Sequence, residues 1–264
     1  MKIGVFDSGL GGLTVLQKLV SIQPQTEYLY LADTINLPYG EKSEEDLIRF
    51  VEAKIAWMAK QKIDLLIIAC NTSDSVLLTN EFNNKFPQGV IRIIEPTIDN
   101  IILNYPKLQN VACISTSFTA KKNLFGQLLK IKNCTTTKIT PIACPNLVSE
   151  IENLASKEKI LFLLKEYLQP LLVNNYQGLI LGCSHYPLIT REIRQFLREN
   201  NLSNIIIFNP ADAIADNFKK KLIKSTKAKI TYYTTNIRTK DRLEYYSQLL
   251  FQQIFPIHHI EPLC

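Results

Sequence analysis

The sequence predicts an α/β fold of parallel sheets covered by helices on both faces, and three observations predict it. Short apolar runs of strand length alternate with amphipathic stretches of helix length along nearly the whole chain. Alternation of this kind argues for parallel strands joined by crossover helices. Several of the runs end in small, polar or glycine-rich clusters, at the carboxyl ends where open α/β sheets bind their ligands. Finally, Leu65-Leu66-Ile67-Ile68-Ala69-Cys70-Asn71-Thr72 is echoed by Gly178-Leu179-Ile180-Leu181-Gly182-Cys183-Ser184-His185, about half a chain later. Each copy is a buried strand, a small residue, a cysteine and then two polar residues.

Taken in order, Lys2–Phe6 is an apolar run that exits into Asp7-Ser8-Gly9-Leu10-Gly11-Gly12, with a helical pattern over Leu13–Ser21. Tyr28–Leu31 is a second strand, leading through Asp33-Thr34 and Pro38-Tyr39-Gly40 to a helix over Glu44–Lys60. Asp64–Ala69 runs into Cys70-Asn71-Thr72. Asn110–Ile114 is a further strand, and its exit into Ser115-Thr116-Ser117 is a weaker echo of Ile3–Ser8; a helix over Phe118–Lys130 follows. Lys157–Val173 reads as a helix, Gly178–Leu181 as the strand ending at Cys183-Ser184-His185, and Pro187–Asn200 as the next helix. Asn204–Phe208 and Lys229–Tyr233 complete the strands.

Composition bounds the function. With 264 residues, 46% hydrophobic and 20% charged, the chain is neither disordered, collagen-like nor a coiled coil, and is long enough for one large domain or two. No apolar run approaches the ~18 residues of a membrane span. The N-terminus reaches Asp7 too early for a signal peptide, so a soluble, cytoplasmic protein is expected. The six cysteines contain no CxxC pair, and reduced thiols are the default. The net charge of +6 owes much to Lys219, Lys220, Lys221, Lys224, Lys227 and Lys229. A solvated face is the reading for this segment; without interleaved aromatics or a motif, nucleic acid is not an expected partner.

Four clusters carry the chemistry. Gly9, Gly11 and Gly12 give G-x-G-G, which is neither a dinucleotide fingerprint nor a Walker loop, and Asp7 would repel a pyrophosphate. A tight turn that presents Asp7 and Ser8 ahead of a helix start fits better, and such a start suits a carboxylate ligand. Cys113, Cys134, Cys144 and Cys264 have no reactive neighbours in sequence and read as buried small hydrophobes. Cys70 and Cys183 each precede polar residues at an expected helix start, a setting that lowers a thiol's pKa and favours the thiolate. His185 stands two residues beyond Cys183 as a proton partner. Two thiols on opposite sides of one cleft can invert a carbon centre, one removing a proton as thiolate and the other donating one. Asn71, Thr72, Ser184 and Ser8 are suitable hydrogen-bond donors to the developing charge. Hydrolysis by a Cys183–His185 dyad is the alternative and leaves Cys70 without a role. His258 and His259 read as a strand end, and no Cys or His spacing fits a zinc site.

At these residues the sequence resembles the cofactor-independent aspartate/glutamate racemase superfamily, and within it the glutamate-specific branch. The resemblance covers Gly4–Leu13, Asp33-Thr34, Pro38-Tyr39-Gly40, Ala69–Thr72, Glu95-Pro96, Ala143-Cys144-Pro145 and Leu181–Leu188. It implies two pseudo-symmetric doubly wound parallel-sheet domains with the active site between them. The first would comprise residues 1–95 and 207–264, and the second residues 96–206. It also implies interconversion of L- and D-glutamate without PLP or metal, for bacterial peptidoglycan, by a homodimer. By motif, Cys70 would deprotonate D-glutamate with Asp7 assisting. Cys183 would deprotonate L-glutamate with His185 assisting, and Glu152 would be a further acidic helper. Asp7, Ser8, Tyr39, Gly40, Asn71, Thr72, Thr116, Thr119, Ser184 and His185 would hold the amino acid. An aspartate-specific enzyme of the same architecture and a non-catalytic regulator on the same scaffold are the alternatives. Cys183-Ser184-His185 favours glutamate over aspartate.

Two departures from the family pattern stand out. Ser184 replaces the usual Thr and keeps its hydroxyl. Ser73-Asp74-Ser75 stands where small, mostly apolar residues are usual. Asp74 either caps the helix that begins after Thr72 or faces the cleft and repels a dicarboxylate.

Overall fold

The computed structural model describes residues 1–77, 84–216, 218 and 228–261. Lys219, Lys220, Lys221, Lys224, Lys227 and Cys264 lie outside the described residues, while Lys229 opens a strand.

The chain builds two all-parallel sheets. The first contains β1 (Lys2–Asp7), β2 (Glu27–Ala32), β3 (Leu65–Ile68), β4 (Val90–Arg92), β9 (Lys229–Thr234) and β10 (Ile257–His259), in the order β10-β9-β2-β1-β3-β4. The second contains β5 (Asn110–Ser115), β6 (Lys138–Ala143), β7 (Gly178–Gly182) and β8 (Ile206–Phe208), in the order β6-β5-β7-β8. The segment β2-β1-β3-β4 therefore repeats as β6-β5-β7-β8. Within it β1 corresponds to β5 and β3 to β7, the same two pairs that echo each other in sequence. In each sheet the chain leaves the central strand to one side and returns on the other. The reversal opens a crevice at the carboxyl ends of β1 and β3, and of β5 and β7.

Parallel pairing needs crossovers, and α1 (Leu13–Ile22) and α2 (Glu44–Ala59) supply the first two. α2 starts at Ser43, whose hydroxyl accepts the Asp46 N–H at 3.1 Å, with Glu44, Glu45 and Asp46 in the dipole-favoured first turn. The central strands are buried on both faces, so alternate residues feed different cores. Leu65 and Ile67 of β3 join one apolar cluster and Leu66 and Ile68 another, the latter closed by Leu47, Val51, Ile55 and Met58 of α2. The first cluster is continuous from Ile3, Val5 and Tyr30 through α4 (Ile94–Asn104) and α11 (Pro210–Asp216) to Val111 and Ile180 of the second sheet. A third cluster packs the remaining face of the second sheet against α7 (Leu147–Glu152), α8 (Lys157–Tyr167) and α10 (Thr190–Glu199).

Several expected elements are subdivided. The helix over 118–130 is two, α5 (Ser117–Lys122) and α6 (Leu124–Ile131), because Asn123 takes φ +49° and caps the second through its side chain. The helix over 157–173 breaks at Leu168, and Pro170 sits in the first turn of α9 (Gln169–Val173), where its missing N–H costs nothing. A 3₁₀ turn, Tyr186–Ile189, precedes α10. β4 and β6 are unanticipated, and β10 is marked only by the reading of His258 and His259 as a strand end: β4 and β10 have three residues each, and β6 carries Pro141, tolerated because it is an edge strand. α12 (Lys240–Phe251) and the short α3 (Asn71–Val76) complete the helices of the described residues. None is long and apolar enough to cross a membrane.

Neither sequence reading of Asp74 holds. The thiol of Cys70 caps α3, and Asp74 lies buried inside that helix with its carboxylate bound to the end of β4 and the start of α4. Its Oδ1 accepts Arg92 Nε at 2.6 Å, and its Oδ2 accepts the N–H of Ile94, the first residue of α4, at 2.8 Å. Arg92 also donates to the carbonyls of Asp74 (2.7 Å) and Leu77 (2.9 Å). The carboxylate ties α3, β4 and α4 together. Asp74→Ala is expected to cost about 3 kcal/mol in denaturant melts, as for a broken buried ion pair. A loss of about 1 kcal/mol, the size of a simple cap, would contradict this role.

Candidate active site

The carboxyl end of β1 delivers Asp7 and Ser8 into a turn before α1. Asp7 is fully buried; Oδ1 accepts the Gly9 N–H at 2.9 Å, while Oδ2 has no partner. Burial raises the Asp7 pKa above its ordinary value, against the opposing pull of His185 and the Gly9 N–H. The Tyr30 hydroxyl donates to the Gly9 carbonyl at 2.6 Å and fixes the turn from the neighbouring strand.

The carboxyl end of β3 delivers Cys70. Its sulfur lies 3.5 Å from Ser8 Oγ and accepts the Ser73 N–H at 3.4 Å. The expected helix start is present, but the expected low thiol pKa is not. Burial, and then the charge of Asp7, push Cys70 up to about 11, outweighing its hydrogen bonds to Ser73 and Ser8. A six-residue helix and one N–H do not offset the loss of water around a thiolate only 4% exposed.

In the second half, Cys183 follows the last residue of β7, and its sulfur lies 3.8 Å from His185 Nδ1. The other ring nitrogen, Nε2, lies 2.7 Å from Glu152 Oε1, at the end of α7. That oxygen also accepts the Leu10 N–H, from the β1 turn, at 2.8 Å. Burial opposes the imidazolium, yet the hydrogen bonds and charges of Cys183 and Glu152 hold the His185 pKa well above its ordinary value. A protonated His185 donates from both nitrogens, one towards the thiol and one to the carboxylate.

Threonine hydroxyls line a third side. Thr72 Oγ1 is 3.0 Å from Thr116 Oγ1 and 3.3 Å from Thr119 Oγ1, and Thr116 caps α5. The Gly40 turn closes on this cluster: a side chain there would bring its Cβ within 2.5 Å of Thr116 Cβ. Gly11 is held likewise, 2.6 Å from its would-be Cβ to the His185 backbone nitrogen and against the Ser184 hydroxyl. Thr14 Oγ1 donates to the Ser184 carbonyl at 3.2 Å. The Tyr39 hydroxyl is already committed, donating to Asp33 Oδ2 at 2.5 Å.

Among the described residues, the buried side-chain polar atoms without a partner are Asp7 Oδ2, Asn71 Nδ2 and Oδ1, Ser73 Oγ and Glu152 Oε2. All belong to this one region. Each orphan costs on the order of 1–3 kcal/mol in the free protein. Both acceptors and donors are present, the complement a zwitterionic amino acid would satisfy. Tyr30 went unnoticed in the sequence, where nothing separates it from ordinary core residues, and Ser73 stood out there only as part of Ser73-Asp74-Ser75, without a site role. The remaining cysteines are not drawn in. Cys113 lies inside β5, Cys144 is buried and pushed up to about 12 by burial, and Cys134 is half-buried rather than in the core. His258 and His259 lie on β10 as expected.

Against known proteins, the model of the Asp/Glu/Hydantoin racemase family matches residues 3–218. A glutamate racemase of Prochlorococcus marinus is 35% identical over 232 residues, 87% of this chain and 82% of its own length. Among solved structures, a glutamate racemase of Bacillus anthracis superposes with a TM-score of 0.86 at 26% identity, covering 99% of this chain and 98% of its own. One from Francisella tularensis, in complex with D-glutamate, gives 0.83 at 27% identity, covering 98% and 97%. With likeness of this extent in both sequence and fold, the chain belongs to the Asp/Glu/Hydantoin racemase family.

Proposed function

We propose that this chain interconverts L- and D-glutamate by a two-base mechanism, with Cys70 and Cys183 as the two bases. The observation that carries the reading is the set of orphaned buried polar atoms on residues that adjoin the two thiols or His185. The curated relative at 35% identity and the D-glutamate complex support the choice of substrate. Asn71, Thr72, Thr116, Thr119, Ser8, Ser184 and the Tyr39-Gly40 turn hold the amino acid.

With L-glutamate, Cys183 as thiolate takes the Cα proton, its charge supported by the imidazolium of His185, which Glu152 holds in place. The electron pair delocalises into the α-carboxylate, stabilised by the surrounding donors. Cys70 returns a proton to the opposite face. A thiol pushed up to about 11 is protonated at neutral pH and suited to that step. In the reverse direction Cys70 must lose its proton, and Asp7, itself raised by burial, receives it. The reading extends to two domains, residues 1–95 with 207–264 and residues 96–206. Supporting this, β9 and β10 pair in the first sheet; β8, in the second, runs past the boundary at residue 206 to Phe208. It also extends to a cytoplasmic homodimer supplying D-glutamate for peptidoglycan.

The deciding experiment is racemisation in deuterated water. L-Glutamate is expected to yield D-glutamate deuterated at Cα with no added cofactor. No racemisation, or activity lost on dialysis and restored by PLP or a divalent metal, would overturn the reading. Cys70→Ser and Cys183→Ser are each expected to lower kcat at least ~10³-fold, within the span of general acid–base effects. Near wild-type racemisation by either would exclude the two-thiol mechanism. Glu152→Gln is expected to move the high-pH limb of the L-to-D profile to lower pH. Glu152 raises the His185 pKa, so without its charge the imidazolium loses its proton earlier as pH rises. An unmoved limb would separate His185 from that step.

A further inference from the structure

α2 buries Leu47, Val51, Ile55 and Met58 against the first sheet, and on the same stripe it buries Lys54. The Lys54 side chain is 0% exposed, and Nζ lies 3.0 Å from Asp33 Oδ2, also 0% exposed. Asp33 follows the last residue of β2, and its N–H donates to the Asp7 carbonyl at 3.1 Å, beside the β1 turn. Its carboxylate gathers the next loop: Oδ2 accepts the Tyr39 hydroxyl at 2.5 Å and Asn36 Nδ2 at 2.9 Å, and Oδ1 accepts Thr235 Oγ1 at 2.8 Å. The Lys54 ammonium also stands 5.3 Å from the centre of the Phe50 ring, which packs against Tyr39 with ring centres 6.0 Å apart.

Stability alone does not explain this arrangement. Desolvating two charges costs several kcal/mol per ion, and apolar residues of similar volume often serve equally well or better. What the pair adds is direction. The carboxylate needs its charge to hold the Tyr39 phenol in a short bond, and Lys54 supplies the countercharge where no water reaches. Tyr39 precedes Gly40, whose backbone approaches Thr116 too closely for any side chain. A shift of well under 1 Å at Tyr39 would open or block that contact.

We infer that Lys54 is a positioning residue for the amino-acid site: through Asp33 and the Tyr39 hydroxyl it sets the Tyr39-Gly40 turn against Thr116. The inference rests on the glutamate reading of the site. It requires Lys54 to act on substrate binding rather than on proton transfer: the side chains of Asp33 and Tyr39 hydrogen-bond to neither thiol, nor to His185 or Glu152, and Tyr39 meets Cys70 and Asp7 only through their charge.

Steady-state kinetics on Lys54→Met, Tyr39→Phe and the double variant test it, with thermal melts alongside. KM for both glutamate enantiomers is expected to rise together, about tenfold, with kcat within twofold of wild type. The double variant should be no worse than Lys54→Met, since both changes cut one chain of contacts. An unchanged KM in either single variant, a fall in kcat at constant KM, or additive effects in the double variant would each overturn the inference. If Lys54→Met does not fold, Tyr39→Phe, which removes only a hydroxyl, decides by the same KM criterion. Inactive wild-type protein would instead overturn the glutamate reading itself.

Discussion

One carboxylate oxygen joins the two halves of this molecule at its chemical centre. Glu152 Oε1 accepts the Leu10 N–H from the glycine turn of the first half and faces His185 Nε2 in the second. Buried charge of this kind is costly unless it is bonded, and two bonds converge on this oxygen. The glycine turn, α7 and the β7 exit are therefore fixed with respect to one another. The continuous apolar cluster through α4 and α11 holds the sheets in contact, but it is non-directional. The Glu152 link supplies the direction.

From that link follows a difference between the two thiols. Cys183 shares its surroundings with a histidine that Glu152 and the Cys183 sulfur itself hold towards the imidazolium. Cys70 shares its own with Asp7 and hydroxyl groups, and is pushed up to about 11. The sheets repeat the same four-strand topology, yet the groups set beside the two sulfurs do not repeat. An inversion at carbon calls for this asymmetry, because one sulfur must be charged while the other carries a proton. The orphaned atoms of Asp7, Asn71, Ser73 and Glu152 belong to the surroundings of these two groups. A protein retains such unsatisfied groups where a ligand completes them.

The supporting structure is less symmetric still. Asp74 and Arg92 brace α3 from behind, and Lys54 with Asp33 braces the Tyr39-Gly40 turn. Both are ion pairs on elements that carry site residues, and both use a charge where the core would accept an apolar side chain. Asp74, which looked out of place after Cys70-Asn71-Thr72, belongs to this bracing.

By itself the sequence determined the α/β class, the long apolar strands and the clusters at their ends. These are local signals: strand and helix periodicities, and glycines or polar residues following an apolar run, are written in neighbouring residues. The echo around Cys70 and Cys183 announced the repeated halves for the same reason. A short strand such as β4, and the break at Asn123, were not legible, because pairing or one left-handed residue decides them. Only the tertiary structure decided the state of each group. Whether Asp74 faces the cleft, whether Cys70 is raised or lowered, and whether Tyr39 is free to donate all depend on partners distant in sequence. Lys54 had one visible sign, a charge on the apolar stripe of α2, but its partner Asp33 is brought to it only by folding. Charge and proton affinity are set by burial and by what lies within a few ångströms.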